Sequence, residues 1–311
     1  GSEPATGDDV VIASGHTVTQ NDTGGVSVNT ITVTGTLFLD GALTVATNSS
    51  VAGSMTCYAA YTQTAGTFSN TGTITVFKGI DVVFSSTDTA ITNTGDINLN
   101  SDADQFASLV YGGSSYTDSA SDNDLTYNRY ITTNAVGWDL MGSPVTGESF
   151  SNVINDGNIA SNGTGSSTEY GIGQYDNTDN TWDTYTSTEA ASAGTMSPGV
   201  GYEMATTNGA TISFTGQLTT GTVSVAIENN DSDNGGNGTW YSLVSNPYAS
   251  YICLNSSADT ASSTATTDFL THNISTNDVI GDGAQENVYL WGGTSAGYTT
   301  VNNSSAATYA A

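Results

Sequence analysis

Apolar and polar residues alternate with a period of two through most of the first hundred positions. "DVVIASGHTVTQ" (9–20), "VNTITVTGTLFLDGALTVATN" (28–48), "GTITVFKGIDVVFSS" (72–86) and "GDINLNSD" (95–102) each put every second side chain on an apolar face. Gly or Asn breaks the pattern every few residues, which predicts short β-strands joined by tight turns. A phrase repeats within this region. "SNTGTITV" (69–76) and "TNTGDINL" (92–99) carry glycines at 72 and 95, and "VTGTLFL" (33–39) is a looser third copy. Strand repeats of this length predict stacked coils in a β-solenoid or roll, with a sandwich of similar hairpins as the alternative.

The alternation fades over 101–127, where acids gather, and this stretch reads as a connection. The pattern then changes. "GWDLMGSPV" (137–145) and "WYSLVSNPY" (240–248) align on Pro144 and Pro247, which pairs Leu140 with Leu243 and Trp138 with Tyr241. Each phrase is followed by an aromatic hairpin, "QYDNTDNTWDTY" (174–185) in the first case and "VYLWGGTSAGYTTV" (288–301) in the second. Trp138, Leu140, Tyr202, Phe214, Tyr241 and Leu243 are the expected core. Only "ATTDFLTHNIS" (265–275) hints at a helix. The expected architecture is all-β, with at least ~40% strand and under ~10% helix. A β-repeat domain (solenoid or roll-like, or a sandwich) spans 1–105 and an acidic linker spans 106–127. A jelly-roll-like β-sandwich of two half-repeats, 128–228 and 239–311, completes the chain.

Charge narrows the partners. The 311 residues hold 30 Asp and Glu against two basic residues, Lys78 and Arg129, for a net charge of -28. Such a surface repels nucleic acid and anionic lipid. No apolar run is long enough to span a membrane. The acidity suits an exported protein, or one adapted to salt water, and favours divalent cations. Cys57 and Cys253 have no metal-site spacing and read as separate thiols more readily than as a bridge.

Candidate chemistry is sparse. His16 and His272, the two histidines, lack neighbouring ligands or a nucleophile motif and read as structural. No pair of carboxylates stands out for glycoside cleavage, so the chain is expected not to be an enzyme. In "NNDSDNGGNG" (229–238), Asn229, Asp231 and Asp233 alternate ahead of glycines, a set of hard oxygen ligands suited to Ca2+, although the EF-hand pattern is not met. Trp182, Tyr185, Trp291 and Tyr298 on the two hairpins are candidates for stacking on sugar rings. Lys78, the single lysine, is read as a strand residue guarding an edge, with an isopeptide crosslink as the sharper alternative.

Several phrases carry a family resemblance. "GWDLMGSPVTGESF", "GVGYEM", "ISFTGQLTTGTVSV" and "WYSLVSNPYASYI" resemble a module of large secreted surface proteins of Bacteroidota, and the N-terminal β-repeats resemble segments found upstream in such proteins. The resemblance implies export by the type IX route and a cell-surface location. It also implies O-glycosylation at Asp-Ser/Thr-small triplets, here at Thr89, Ser119 and Thr260. The resulting expectation is an extracellular structural or adhesive protein, a stalk or fibre subunit assembled head to tail with copies of itself. The second half-repeat reads as short of strands at Ala311, so donation of a strand by "DDVVIASGHTVTQ" (8–20) of a neighbour is one expected mode, and continuation of the chain is the other. The alternative function is a glycan-binding sandwich with surface polysaccharide as its partner.

Overall fold

A computed structural model describes residues 4–85, 87–118, 125–131, 137–165, 168–228, 230, 235–255, 268–277, 287–291 and 297–302. The chain is 47% strand and 8% helix, with a β-solenoid of about five turns followed by additional sheets. It divides into two units. The first comprises Gly1–Arg129 with Thr215–Thr220 and Ala249–Tyr251. The second comprises Tyr130–Phe214, Gly221–Tyr248 and Ile252–Ala311.

In the first unit each turn adds one strand to each of three parallel sheets. The first face stacks Asp9–Ile12, Thr30–Val33, Ser49–Val51, Thr67–Asn70, Ala90–Asn93 and Ser115–Asp118. The second stacks Thr17–Gln20, Thr36–Leu39, Ser54–Cys57, Thr73–Val76, Asp96–Asn100 and Leu125–Ile131. The third stacks Val26–Val28, Leu43–Val45, Tyr61–Gln63, Asp81–Phe84 and Ser108–Tyr111. The period-two pattern decides which side chains enter. On the second face Val18, Leu37, Met55, Ile74, Ile97 and Leu125 form one inward row. Its outward rows are Thr17, Thr36, Ser54, Thr73 and Asp96, and Thr19, Phe38, Thr56, Thr75, Asn98 and Thr126.

Where the three faces converge, Tyr61, Phe68 and Phe84 fill the interior, with Phe68 and Phe84 edge to face at 4.9 Å. Several polar groups that enter are bonded, while among the described residues Thr89 Oγ1, Asn93 Nδ2 and Tyr111 Oη are buried without a hydrogen-bond partner. Tyr61 Oη lies 2.6 Å from Ser49 Oγ and donates to Gln63 Oε1 at 2.9 Å, while Gln63 Nε2 donates to the carbonyls of Thr47 and Ala65. Asn70 and Asn93 stack and bond at 2.7 Å, an inward asparagine ladder.

A glycine ladder explains the repeated phrase. Gly35, Gly53, Gly72 and Gly95 sit one above another where the first face turns into the second. A Cβ on Gly53 would lie 2.0 Å from the Gly35 carbonyl oxygen, one on Gly72 2.1 Å from that of Gly53, and one on Gly95 2.2 Å from that of Gly72. Only glycine lets the backbones approach this closely. Gly53, in "VAGSMTC" (51–57), is a copy that the sequence reading passed over.

The solenoid extends beyond the expected boundary at 105. The segment expected as a linker carries Ser108–Tyr111, Ser115–Asp118 and the start of Leu125–Ile131, all paired in the three faces. The lapse in alternation reflects a turn in which Asp102 Oδ1 accepts from the backbone N–H groups of Asp104 and Gln105. Leu109, Leu125 and Tyr127 resume the buried pattern after it. Lys78 lies in a turn after Val76 and pairs with Asp102, so it does not guard a strand edge.

The second unit is antiparallel. Its main sheet runs Asp139–Met141, Tyr202–Met204, Glu169–Asp176 and Ser161–Asn162, with Thr181–Thr186 forming a hairpin on Glu169–Asp176. Phe150, opening the helix Phe150–Asn155, packs on one side of this sheet against Tyr185 at 4.7 Å and Tyr202 at 5.3 Å. A capping box on Thr186 and Glu189 starts the helix Ser187–Ala193. A helix forms over Phe269–Asn277, and Val288–Trp291 pairs with Tyr298–Val301.

The expected core is met at Tyr202 and Phe214, both buried. Trp138, Leu140 and Leu243 are half-buried. Tyr241 is 59% exposed and departs from the expectation. The cause is local: 240–248 holds no strand and touches the first half-repeat through a bridge of Val200 with Val244, so no sheet draws Tyr241 inward. Residues 221–227 hold no strand either.

Candidate functional site

The hairpin of Glu169–Asp176 and Thr181–Thr186 turns on the acidic and amide residues 177–180. Asn180 takes a left-handed φ of 61°, which asparagine tolerates. Tyr175 Oη donates to Asn180 Oδ1 at 2.8 Å and lies 2.8 Å from Thr239 Oγ1, which ties the tip to the chain that passes it. Around this hairpin lies an open groove of about 820 Å³, lined among others by Tyr175, Asp176, Trp182, Asp183, Tyr185 and Glu189.

Two of the four candidate stacking residues meet in the groove. Trp182 is 38% exposed and tilted at 53° against Tyr175, with ring centroids 5.1 Å apart. Tyr185 also lines the groove, but its ring stacks on Phe150 and its hydroxyl donates to Gln174 Oε1 at 3.2 Å, so one face is already occupied. Trp291 and Tyr298 form a separate tilted pair at 5.2 Å. The Trp291 indole donates to the Trp138 carbonyl at 3.2 Å, and Tyr298 is 53% exposed. Of the four rings, Trp291 and Tyr298 pair with each other, whereas Trp182 pairs with Tyr175 and Tyr185 with Phe150.

The groove is electronegative. Asp176, Asp183 and Glu189 line it, and both Lys78 and Arg129 belong to the other unit. Bonds from the Thr186 backbone and hydroxyl hold the Glu189 carboxyl below its usual range. Burial pushes the Tyr185 hydroxyl up, and Asp183 and Glu189 add to the shift. This setting admits neutral or cationic groups and disfavours anions.

Glu203 escaped the sequence reading. It sits between core residues Tyr202 and Met204, is 7% exposed, and lies over Gly173 in the middle of the sheet. Burial pushes its carboxyl up to about 7. An acid flanked by core residues in "GYEM" was the available signal.

Asn229, Asp231 and Asp233 lie outside the described residues, as do Ser119 and Thr260. Thr89 is fully buried in the solenoid, with its hydroxyl unpartnered and its carbonyl accepting from Ser114 N–H at 2.8 Å. A buried hydroxyl is closed to a glycosyltransferase in the folded chain, which corrects that assignment. His16 Nδ1 lies 3.2 Å from the Ser14 carbonyl in an exposed turn, and His272 is on the helix Phe269–Asn277. Among the described residues no three His, Cys, Asp or Glu side chains form a metal-binding group. Both cysteines are unbridged, and burial pushes the Cys57 thiol up to about 12. No described helix is long and apolar enough to cross a membrane.

No family model, curated protein or solved structure matches this chain.

Proposed function

We propose that this chain is a non-enzymatic structural and adhesive protein of the cell exterior, serving as a stalk or fibre segment. The carrying observation is the in-register solenoid: a parallel stack, with the Gly35–Gly53–Gly72–Gly95 ladder at one of its turns, adds length with every coil. Head-to-tail self-assembly belongs to this reading. Asp9–Ile12 and Thr17–Gln20, the suggested donor strands, are paired here with Thr30–Val33 and Thr36–Leu39. Among the described residues their outer edges and that of Val26–Val28 are unpaired, which favours coil stacking at the first turn over strand donation into the second unit. The resemblance to secreted Bacteroidota surface proteins and the acidity support an extracellular location. Electron microscopy of the purified full chain tests the proposal. Filaments or rigid rods support it, and compact monomers at all concentrations sink it.

A second reading, a glycan-binding module, draws on the groove at Trp182. Retention on a neutral or amino-sugar polysaccharide that is lost in Trp182→Ala supports it, and flow-through of the wild type overturns it. Calcium at Asn229, Asp231 and Asp233 rests on the sequence pattern. A chelator that lowers the melting temperature supports it, and an unchanged temperature removes it.

A further inference from the structure

The strand Thr181–Thr186 forms an open edge of the second unit's sheet. Among the described residues it pairs with Glu169–Asp176 alone, so its other edge is open to a further strand. The pairing is regular from Gly173 with Thr184 to Asp176 with Thr181, and it fixes which side chains share a face. Tyr175 lies opposite Trp182 on one face, and Gln174 opposite Asp183 on the other, which Asp176 shares. The groove of about 820 Å³ is lined by the consecutive residues 182–185, so it follows the edge and is not confined to one face.

The two faces differ in chemistry. Trp182 is 38% exposed, and Tyr175, tilted against it, is fixed by the bonds of its hydroxyl to Asn180 and Thr239. Asp183 is exposed, and among the described residues its carboxylate is engaged by no hydrogen bond or ion pair. Asp176 accepts from Thr178 N–H at 2.8 Å through Oδ1, which leaves its second oxygen for a ligand. The unit has no basic residue to neutralise these acids, since Lys78 and Arg129 belong to the other. Carboxylates alone would serve to blunt an edge against foreign strands. An exposed indole on the opposite face works against that purpose, because it offers apolar surface where such a strand would dock. The other open edges lack this combination. Asp9–Ile12, Thr17–Gln20 and Val26–Val28 surround the apolar end of the solenoid core, and Ser161–Asn162 is short. Val288–Trp291 and Tyr298–Val301 carry aromatic residues and no Asp or Glu.

We propose that the Thr181–Thr186 edge binds an extended peptide segment in which basic and aliphatic residues alternate, added as a further strand of the sheet. Ladder bonds to the edge supply affinity, and the period of two sends successive side chains of the segment to the two faces. Lysine or arginine on one side meets Asp183 and Asp176, and the aliphatic residues on the other cover Trp182 and Tyr175. Charge complementarity selects this occupant. A second copy fits poorly, because each chain carries a net charge of -28 and holds two basic residues in all. A glycan has no backbone to continue the ladder, and rings tilted at 53° give it no flat pair on which to stack. The inference rests on the adhesive reading, whose partner it names, and it competes with the glycan reading for the same groove.

The test is fluorescence anisotropy of labelled Lys-Val-Lys-Val-Lys titrated with the full chain at low salt. The peptide is expected to bind and Glu-Val-Glu-Val-Glu to remain free. The fully N-methylated lysine peptide, which keeps its charge and loses its backbone donors, is expected to bind at least about tenfold more weakly. The double variant Asp176→Asn, Asp183→Asn is expected to weaken binding by about tenfold, and Trp182→Ala by roughly fivefold. Asp40→Asn with Asp104→Asn removes two exposed solenoid carboxylates and is expected to leave affinity unchanged. Circular dichroism verifies folding of each variant. Bound peptide is also expected to slow amide exchange over Thr181–Thr186 in the wild type, which needs no variant. Absence of peptide binding overturns the proposal, and so does equal affinity for the N-methylated form. Equal weakening by the solenoid pair would trace binding to overall acidity and overturn it too. A deacetylated chitosan oligosaccharide that binds where the peptide does not would give the groove to an amino sugar instead. Filaments do not enter this assay: a chain that stays a compact monomer and binds the peptide in this way supports the proposal while the fibre reading falls.

Discussion

The two units use the same residue types to different ends. In the solenoid, one rule repeated each turn places every side chain: alternate positions enter, and a glycine marks the turn from first to second face. Val33, Leu39, Val45, Val51, Met55, Cys57 and Tyr61 are all at most 1% exposed. In the second unit, similar phrases diverge. "GWDLMGSPV" yields the paired strand Asp139–Met141, whereas "WYSLVSNPY" yields none and leaves Trp240 and Tyr241 exposed at 64% and 59%. A parallel coil supplies its own neighbour one turn away, so its pattern is sufficient. An antiparallel sheet takes partners from distant parts of the chain, so a pattern without its partner stays irregular.

The sharpest contrast lies between aromatic residues. Phe84 is 1% exposed and packs on Phe68 and Tyr61, so Phe84→Ala is expected to cost about 3–5 kcal/mol. Tyr241→Ala in the second unit is expected to stay within about 0.5 kcal/mol. All four tryptophans, Trp138, Trp182, Trp240 and Trp291, belong to the second unit, so their fluorescence reports that unit while far-ultraviolet circular dichroism reports both. Urea titrations followed by both signals check the pair. Equal losses for the two variants would erase the contrast.

Legibility followed the same divide. The solenoid strands, the repeat glycines at 35, 72 and 95, and the helix near 265–275 could all be read from pattern. Gly53 was missed because its phrase, "VAGSMTC", shares the ladder position and not the wording. The supposed linker was misread because a turn built on Asp102 interrupts the period for a few residues before Leu109 restores it. Pattern alone could not reveal that Tyr185 gives one face to Phe150, that Thr89 is buried, or that Glu203 lies inside a sheet. Each depends on a neighbour that is remote in sequence or on the path of a turn.

Glycines allow the comparison at finer scale. A methyl on Gly72 would meet the backbone oxygen of Gly53 at 2.1 Å, and backbone cannot swing aside. Gly72→Ala is therefore expected to destabilise by about 2–3 kcal/mol. Gly194 in the second unit has open space around it and a φ of +74°, so Gly194→Ala is expected to cost about 1 kcal/mol, from backbone conformation alone. A smaller loss at Gly72 than at Gly194, by thermal melting, would show that the stack loosens easily.

The second unit carries a pH dependence in its sheet. Burial raises the Glu203 carboxyl from 4.5 to about 7. Between those values the folded chain keeps a proton that the unfolded chain has released. This contribution therefore falls as pH rises through the window and levels off above about 7. Glu203→Gln is expected to flatten the slope, stabilising the unit by about 2 kcal/mol at pH 8 and changing little at pH 4. Tryptophan-monitored unfolding at the two pH values checks this. An unchanged slope in the variant would assign it to other groups.

The smallest expected effect concerns how the second unit starts a helix without help from a repeat. Thr186 ends the hairpin strand and caps Ser187–Ala193: its hydroxyl accepts from Glu189 N–H at 3.3 Å, and Glu189 Oε2 accepts from Thr186 N–H at 2.8 Å. Thr186→Ala removes one half of this reciprocal pair and leaves a helix N–H to water, for an expected loss of about 1 kcal/mol. Thr186→Ser keeps the oxygen and is expected to restore most of it. Because the helix follows the strand that carries Trp182 and Tyr185, the alanine variant is also expected to raise amide exchange at Ser187–Glu189 while leaving the solenoid's exchange unchanged. Faster exchange in both units would show that their stabilities are coupled, and would remove the contrast between a unit built by local repetition and one built by remote pairing.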